Sequence, residues 1–378
     1  METWSTHQLM KQGKNKLEAT QLSSLKSYAY TLKSKKLPVI FTLNHLAKIT
    51  GVPYLILLNT VKRRRESSNY KLFAIKKRSG GRRHIHSVHK HLHRVQQFIN
   101  QTILQNIQPH FSAQAFHSGG GIRECAQMHC GARWLFQFDI EDFFYSINEM
   151  GVYEVFRQLG YRPLLAFEMA RLCTTTRLPK FKQRNLLRHS HDYFETYSFY
   201  RTPHTQIGAL PQGAASSPML SNLACRGMDE DLARFACELG LVYTRYADDI
   251  TLSCSTELPE GTDISDVCRR VNKIIRGHGF QPNKKKTHIA GPGSKKQVLG
   301  LLVDGDVPRL SKQTYKRIER LLYGCNKFGM KAVSENEGFD SLIGFHNHLS
   351  GLIAFTKDVD NARWLEFSGM FRRLPFDS

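Results

Sequence analysis

The sequence predicts an α+β fold built around an antiparallel sheet, and three observations carry that expectation. Helical and strand-like periods alternate along the 378 residues without the regular strand–helix–strand spacing of a parallel sheet. Val242–Tyr246 and Ile250–Ser253 are short apolar runs around an acidic tip, the pattern of an antiparallel hairpin. With 41% apolar and 11% aromatic residues the chain can bury a real core. At about 150 residues per domain it makes two or three packed units.

Along the chain, residues 1–36 read as helical or loosely ordered until Leu37-Pro38-Val39 interrupts them. From Leu43 to Leu58 the apolar spacing predicts short helices, and a basic knot, Lys62-Arg63-Arg64-Arg65, comes next. Tyr70–Ile75 reads as a strand, Ser79-Gly80-Gly81 as a hairpin turn and Arg83–Ile85 as the return strand. Leu92, Val95, Ile99 and Ile103 recur at helical spacing. Trp134–Ile140 is an apolar strand ending in acids, and Val152–Leu159 and Leu164–Leu172 are helices. Residues 175–207 are polar and basic with no sustained period, hence loop-rich. Helical character runs from Met219 to Leu239 after Pro218. Ile264, Val267, Val271, Ile274 and Ile275 give an amphipathic helix ended by Gly277-His278-Gly279. Gln297–Val303 reads as one strand, and Ile318, Leu321, Leu322 and Cys325 mark a helix in a C-terminal unit. No internal repeat is present.

Charge narrows the function. The formal net charge is +22, and residues 1–100 hold 20 Lys and Arg against three acids, Glu2, Glu18 and Glu66. A local excess of this size on a folded chain points to a polyanion, nucleic acid above all, and away from neutral small molecules. The eight cysteines are dispersed with no CxxC pair, so neither a disulfide framework nor a zinc ribbon is indicated and a reducing, cytoplasmic setting is expected. No apolar run approaches the roughly 18 residues of a membrane span, and the polar, basic start has no signal-type stretch. A soluble, unexported protein with no membrane partner is expected.

Two acidic segments far apart in sequence carry the chemistry: Phe138-Asp139-Ile140-Glu141-Asp142-Phe143-Phe144 and Tyr246-Ala247-Asp248-Asp249. Each sets carboxylates at the end of a buried-type strand, where acids have no packing reason to be. Side by side, the two strand ends would bring Asp139, Asp248 and Asp249 to one point. Converging carboxylates repel unless cations neutralise them, and hard oxygen donors select Mg²⁺ or Mn²⁺. Two such ions about 4 Å apart suit in-line phosphoryl displacement. Taken alone, Asp248-Asp249 is more often an acidic turn.

Tyr246-Ala247-Asp248-Asp249 resembles the YxDD signature of reverse transcriptases, and Phe138–Phe144 resembles their first carboxylate motif. Leu210-Pro211-Gln212-Gly213-Ala214-Ala215-Ser216-Ser217-Pro218 is similar to their LPQGxxxSP segment, and the run from Gly279 to Thr287 to GFxxNxxKT. Order and spacing agree over roughly residues 70–303. The resemblance implies a right-hand polymerase with fingers, antiparallel-sheet palm and helical thumb. Its divisions are residues 1–130 for the N-terminal region and fingers, 131–303 for the palm with inserted elements and 304–378 for the thumb.

By the same resemblance Asp139, Asp248 and, less directly, Asp249 hold two Mg²⁺ ions, with Mn²⁺ as substitute. Phe144 lies beneath the incoming sugar and excludes a 2′-hydroxyl, while Phe143 and Phe144 as ordinary core aromatics is the plain alternative. Gln212 approaches the nascent base pair beside Gly213. Lys77 and Arg83 grip the dNTP triphosphate, or else form a solvated basic hairpin. Lys286 protonates the leaving pyrophosphate, with Lys284 and Lys285 as neighbouring alternatives.

Gly121 to His129 resembles the segment where retron reverse transcriptases carry NAxxH, with Cys125 in place of the Asn, and Val298-Leu299-Gly300 falls where they carry VTG, with Leu299 in place of Thr. The branch implies a cognate noncoding RNA, a 2′-hydroxyl primer, a branched RNA–DNA product (msDNA), an effector protein and antiphage defence. Group II intron-like and abortive-infection-type polymerases, or an RNA-binding scaffold with a vestigial palm, are the alternatives. The LPQGxxxSP form speaks against diversity-generating relatives. His84, His86, His89, His91 and His93 suit template phosphates or solvent better than a metal. Cys125, His129 and Cys130 read as packed and hydrogen-bonded rather than metal-binding. Arg309, Lys312, Lys316, Arg317 and Arg320 lie along one expected helix, where a thumb holds duplex.

Overall fold

The computed structural model describes residues 6–14, 16–76, 80–179 and 207–374. Its central sheet forms where the apolar run Trp134–Asp139 meets a hairpin of two further runs rich in β-branched and aromatic residues, Val242–Tyr246 and Asp249–Cys254, about a hundred residues on. Strands β1 (Tyr70–Lys76) and β2 (Arg82–Val88) form a separate antiparallel hairpin, with Tyr70 opposite Val88 and Lys76 opposite Arg82. Strand β3 (Trp134–Asp139) is flanked by β5 (Asp249–Cys254) and β6 (His288–Ala290), and β4 (Val242–Tyr246) pairs with β5, giving the order β4-β5-β3-β6, antiparallel throughout. The α+β class and the antiparallel sheet are as expected.

Helices cover this sheet. Glu149–Leu159 and Pro163–Cys173 pack on one another, each with an apolar stripe, and Asn148 caps the first by accepting from Gly151 N at 3.0 Å. Ile264–Gly277 buries Val267, Val271 and Ile275 at helical spacing. A main hydrophobic core runs from Tyr28 to Phe280. A second core belongs to the helices Lys312–Phe328, Met330–Asn336, Leu342–Thr356 and Asn361–Arg372, centred on Leu321, Phe345, Leu349 and Phe367. Among the described residues no helix is long and apolar enough to cross a membrane.

Three expectations need correction. Gln297–Val303 is not one strand but a tight hairpin of β7 (Gln297–Val298) and β8 (Leu301–Leu302), reversed by Leu299 at φ 49° and Gly300 at φ 90°. Burial of Val298, Leu301 and Val303 produced an apolar run that mimics a strand. Met219 to Leu239 divides into helices Ser217–Ala224 and Arg226–Glu238, because Cys225 leaves the helical region at ψ 0° while the apolar spacing continues across the break. Arg309 precedes the helix that carries Lys312, Lys316, Arg317 and Arg320; Ser311 caps that helix, and Arg309 bridges back to Leu302. Most of the expected loop-rich stretch, residues 180–206, lies outside the described residues, and its described flanks are joined by Thr175 opposite Ala209.

Candidate active site

Strand β3 ends between its two neighbours, so Asp139 is only 4% exposed and stands opposite Asp249 in the sheet register. The β4–β5 hairpin turns through Ala247 at φ 56°, a left-handed conformation that a non-glycine residue adopts only when its surroundings hold it there. Ile140 N donates to Asp248 O at 3.0 Å and joins the end of β3 to this turn. From the other side Asn283 N donates to Asp139 O at 2.7 Å, and Glu141 N to Gln281 O at 2.8 Å. Three segments distant in sequence therefore meet at one strand end.

The carboxylates there are crowded. Asp139 accepts hydrogen bonds on both oxygens, from Asn283 Nδ2 at 2.9 Å and from Lys286 Nζ at 2.6 Å. Desolvation and the Asp139 charge raise the Asp248 carboxyl above the usual range, although Arg83 and Lys286 act the other way. Asp249 is pushed up to about 6 by desolvation and by the charges of Asp248 and Asp139. Desolvation works to lower the Lys286 ammonium, but its hydrogen bond to Asp139 and the three carboxylate charges outweigh it and hold the proton on. Such an arrangement favours an added cation. Among the described residues no group of three His, Cys, Asp or Glu side chains is arranged to hold a metal ion alone. The donor set instead fits a small hard ion that keeps water and substrate phosphate among its ligands and takes one or two carboxylates from the protein.

Around these acids lies a cleft of about 360 Å³. Its lining brings together Asp139, Asp248, Lys286, Arg83, Phe144 and Gln212, six of the residues singled out in the sequence. Asp249 is outside the lining, on the exposed side of the turn. Lys77 lies outside the described residues. Both phenylalanines line the cleft but differ in exposure: Phe143 is buried against Phe280, ring centroids 6.0 Å apart, whereas Phe144 is partly exposed beside Phe116 at 6.3 Å. Gln212 O accepts from His86 N at 2.8 Å, so the Leu210–Pro218 run is docked on β2. Gly213 makes this approach possible, for it sits at φ 112° and a Cβ there would meet His86 O at 2.6 Å.

Two lining residues escaped sequence reasoning: Arg82 extends the basic wall, and Asn283 holds Asp139, the Asn of the GFxxNxxKT run being the signal available for it. His84, assigned in the sequence to template phosphates or solvent, joins the same wall. His86 corrects the expectation of phosphate or solvent contact: it is buried, with Nε2 2.9 Å from Arg177 O, while His89 caps helix Lys90–Thr102 by accepting from His91 N. Behind the sheet, His129 is buried with Nδ1 2.7 Å from Ser253 Oγ and Nε2 2.7 Å from Thr244 Oγ1, and Cys125 Sγ lies 3.3 Å from Thr244 Oγ1. Burial alone lowers His129 to about 4. Cys125 and His129 are thus packed and hydrogen-bonded, as their sequence setting indicated.

The family model described as reverse transcriptase (RNA-dependent DNA polymerase) matches residues 75–303, the span that contains every element of this cleft. The chain belongs to the reverse transcriptase family. It is an RNA-directed DNA polymerase of right-hand fold, in a family whose members use divalent metal ions and an RNA template. The retron Ec86 reverse transcriptase of Escherichia coli is 28% identical over 88% of this chain and 89% of its own length. The retron Mx162 reverse transcriptase of Myxococcus xanthus is 27% identical over 82% of this chain and 61% of its own. A solved telomerase from Candida albicans aligns with 80% of this chain and 63% of that one at 11% identity and a TM-score of 0.38.

Proposed function

We propose that this reverse transcriptase serves a retron: it copies part of a cognate noncoding RNA into DNA, starting from an RNA 2′-hydroxyl and leaving msDNA, a branched RNA–DNA hybrid. The observation that carries the reading is the convergence of Asp139, Asp248, Lys286, Arg83, Phe144 and Gln212 on one cleft. Similarity to retron reverse transcriptases supports the branch. Intact acids argue against a vestigial palm, because crowded carboxylates kept without a catalytic use are a standing electrostatic cost.

In this reading Asp139 and Asp248, with Asp249 opposite Asp139 in the sheet register, would hold two Mg²⁺ ions, Mn²⁺ being a workable substitute. When bound, the ions lower the pKa of the attacking hydroxyl and stabilise charge on the leaving oxygen. Arg83, with Arg82 beside it, draws the triphosphate of a dNTP into the cleft, and the family resemblance gives Lys77 the same task. Gln212 presents its backbone and amide to the nascent pair. Phe144 occupies the space a ribose 2′-hydroxyl would need. Lys286, kept protonated by its carboxylate neighbours, delivers a proton to the departing pyrophosphate.

The division into an N-terminal region and fingers to about residue 130, a palm over 131–303 and a thumb over 304–378 belongs to the same proposal. Lys312, Lys316 and Arg320, four residues apart on one helix, suit duplex phosphates. Recognition of the particular RNA then rests on its shape. An effector protein, a role in antiphage defence and a cytoplasmic site complete the proposal.

Expression with the neighbouring noncoding locus tests it. DNA that stays joined to RNA after denaturation, yields to a 2′–5′ debranching enzyme and is missing from an Asp139→Asn preparation that still binds the RNA is the expected result. Unlinked DNA, or DNA attached to a protein side chain, would overturn the retron reading in favour of an abortive-infection-type polymerase.

A further inference from the structure

Arg245, immediately before the acidic turn, is the largest fully buried side chain among the described residues. Its Nε and Nη2 donate to the two oxygens of Asp229, each at 2.7 Å. Tyr243 OH donates to the same carboxylate at 2.7 Å. The remaining nitrogen, Nη1, divides its hydrogens between Ala247 O at 3.1 Å and Asn222 Oδ1 at 3.3 Å. Asn222 is 0% exposed, on helix Ser217–Ala224 just past the Leu210–Pro218 run, and its Nδ2 donates to Ala115 O at 2.6 Å. The orientation of this amide is set by its partners, since a guanidinium only donates and a carbonyl only accepts.

The residue after Ala115 packs against Phe144, a residue of the cleft lining. Phe116 lies at φ 70°, left-handed for an aromatic residue, with its ring 6.3 Å from Phe144 and 6.4 Å from Tyr246. The strand-like approach to it is strapped to β4: Arg245 N donates to Ser112 O at 2.7 Å, and Gln114 N donates to Arg245 O at 2.8 Å. Beyond Gln114 the Asn222 amide holds the next carbonyl, so it sets where the unfavourable Phe116 conformation begins.

We propose that Asn222 is a positioning residue for sugar selection: it fixes Ala115, hence Phe116, and Phe116 backs Phe144 at the floor of the cleft. This rests on the reading of Phe144 as the residue that excludes a 2′-hydroxyl. A buried asparagine that touches no substrate would then set how strongly the polymerase rejects ribonucleotides. Arg245 serves the same structure from the other side by gripping Ala247 O.

The test is the ratio of kcat/KM for a dNTP to that for the matching rNTP, measured for single-nucleotide incorporation on one RNA template–primer. Both values come from the same preparation, so the folded fraction cancels and a merely structural role leaves the ratio unmoved. Asn222→Ala removes the donor, and Asn222→Asp keeps an acceptor for Arg245 while facing Ala115 O with another oxygen. Both, and Phe116→Ala, are expected to lower the ratio by about tenfold or more. Phe144→Ala serves as the control for the underlying reading. A lowered ratio in Phe144→Ala with ratios within about twofold of the parent in Asn222→Ala and Phe116→Ala overturns the inference and leaves the gate standing. An unchanged ratio in Phe144→Ala removes the gate and the inference together.

Discussion

Replacing Gly213 by alanine tests whether the docking of the Leu210–Pro218 run on β2 positions Gln212 for the reaction. At φ 112° a side chain is strained, and the added Cβ would stand 2.6 Å from His86 O and 3.1 Å from a methyl of Ile85. Ordinary contact begins near 3.4 Å, so the two backbones must part by roughly 0.8 Å. That separation takes the 2.8 Å bond from His86 N to Gln212 O beyond hydrogen-bonding range. The lost bond costs about 1 kcal/mol, and the left-handed backbone about 1–2 kcal/mol more. A displacement close to 1 Å in a substrate-positioning loop lowers rate by up to about 10²-fold. The expected outcome is therefore a fall of at least about tenfold in kcat/KM for dNTP incorporation, with a modest drop in Tm. Incorporation within twofold of the parent, at unchanged Tm, would refute the reasoning, because it would mean that the contact with β2 neither strains the loop nor places Gln212.

The same geometry predicts other outcomes. Lys286→Leu is expected to lower kcat by about 10²-fold and to remove the alkaline limb of the pH–rate profile; a limb that persists would assign the proton to another group. Asp249 carries a folded pKa of about 6 against an ordinary 3.8, so its charge destabilises the metal-free protein. Asp249→Asn should raise Tm above pH 6, with the gain shrinking through pH 6 and vanishing below about 4, where the parent is protonated in both states; a uniform or absent gain in thermal melts would contradict the shift. His129→Leu leaves the Ser253 hydroxyl without its partner and is expected to cost about 1–3 kcal/mol in denaturant unfolding. The parent should also lose stability as pH falls from 6.5 toward 4, because the unfolded imidazole protonates first, and the variant should lack that slope.

Which parts were legible in the sequence has a physical logic. Strands β3, β4 and β5 stand out because apolar, β-branched and aromatic residues concentrate where both faces are covered, and acids come abruptly at their ends. Strand β6 does not: three residues, His288–Ala290, of which two are exposed, carry no period. The β7–β8 hairpin was hidden because its turn uses Leu299, a residue whose identity gives no hint of φ 49°. Asp139 and Asp248 were legible as charges out of place, and their meeting in one cleft is what the antiparallel register of β3 and β5 adds. Arg245 was not legible as a buried brace. Amid so many basic residues nothing in the sequence distinguishes an arginine that faces phosphate from one locked onto Asp229, and only burial separates them.

In the proposed reaction the acidic turn binds metal and makes DNA on an RNA template while other surfaces hold the nucleic acid. Extension of a primer on an RNA template by the Asp248→Asn, Asp249→Asn protein, measured beside its RNA affinity by fluorescence anisotropy, tests this most directly. Because both carboxyls sit above their ordinary pKa, the substitutions relieve repulsion, so a loss of synthesis is not a loss of fold. The expected result is extension abolished and RNA affinity within about threefold of the parent, the phosphate contacts lying elsewhere. Undiminished extension by the double variant would show that the acidic turn is not the catalytic centre.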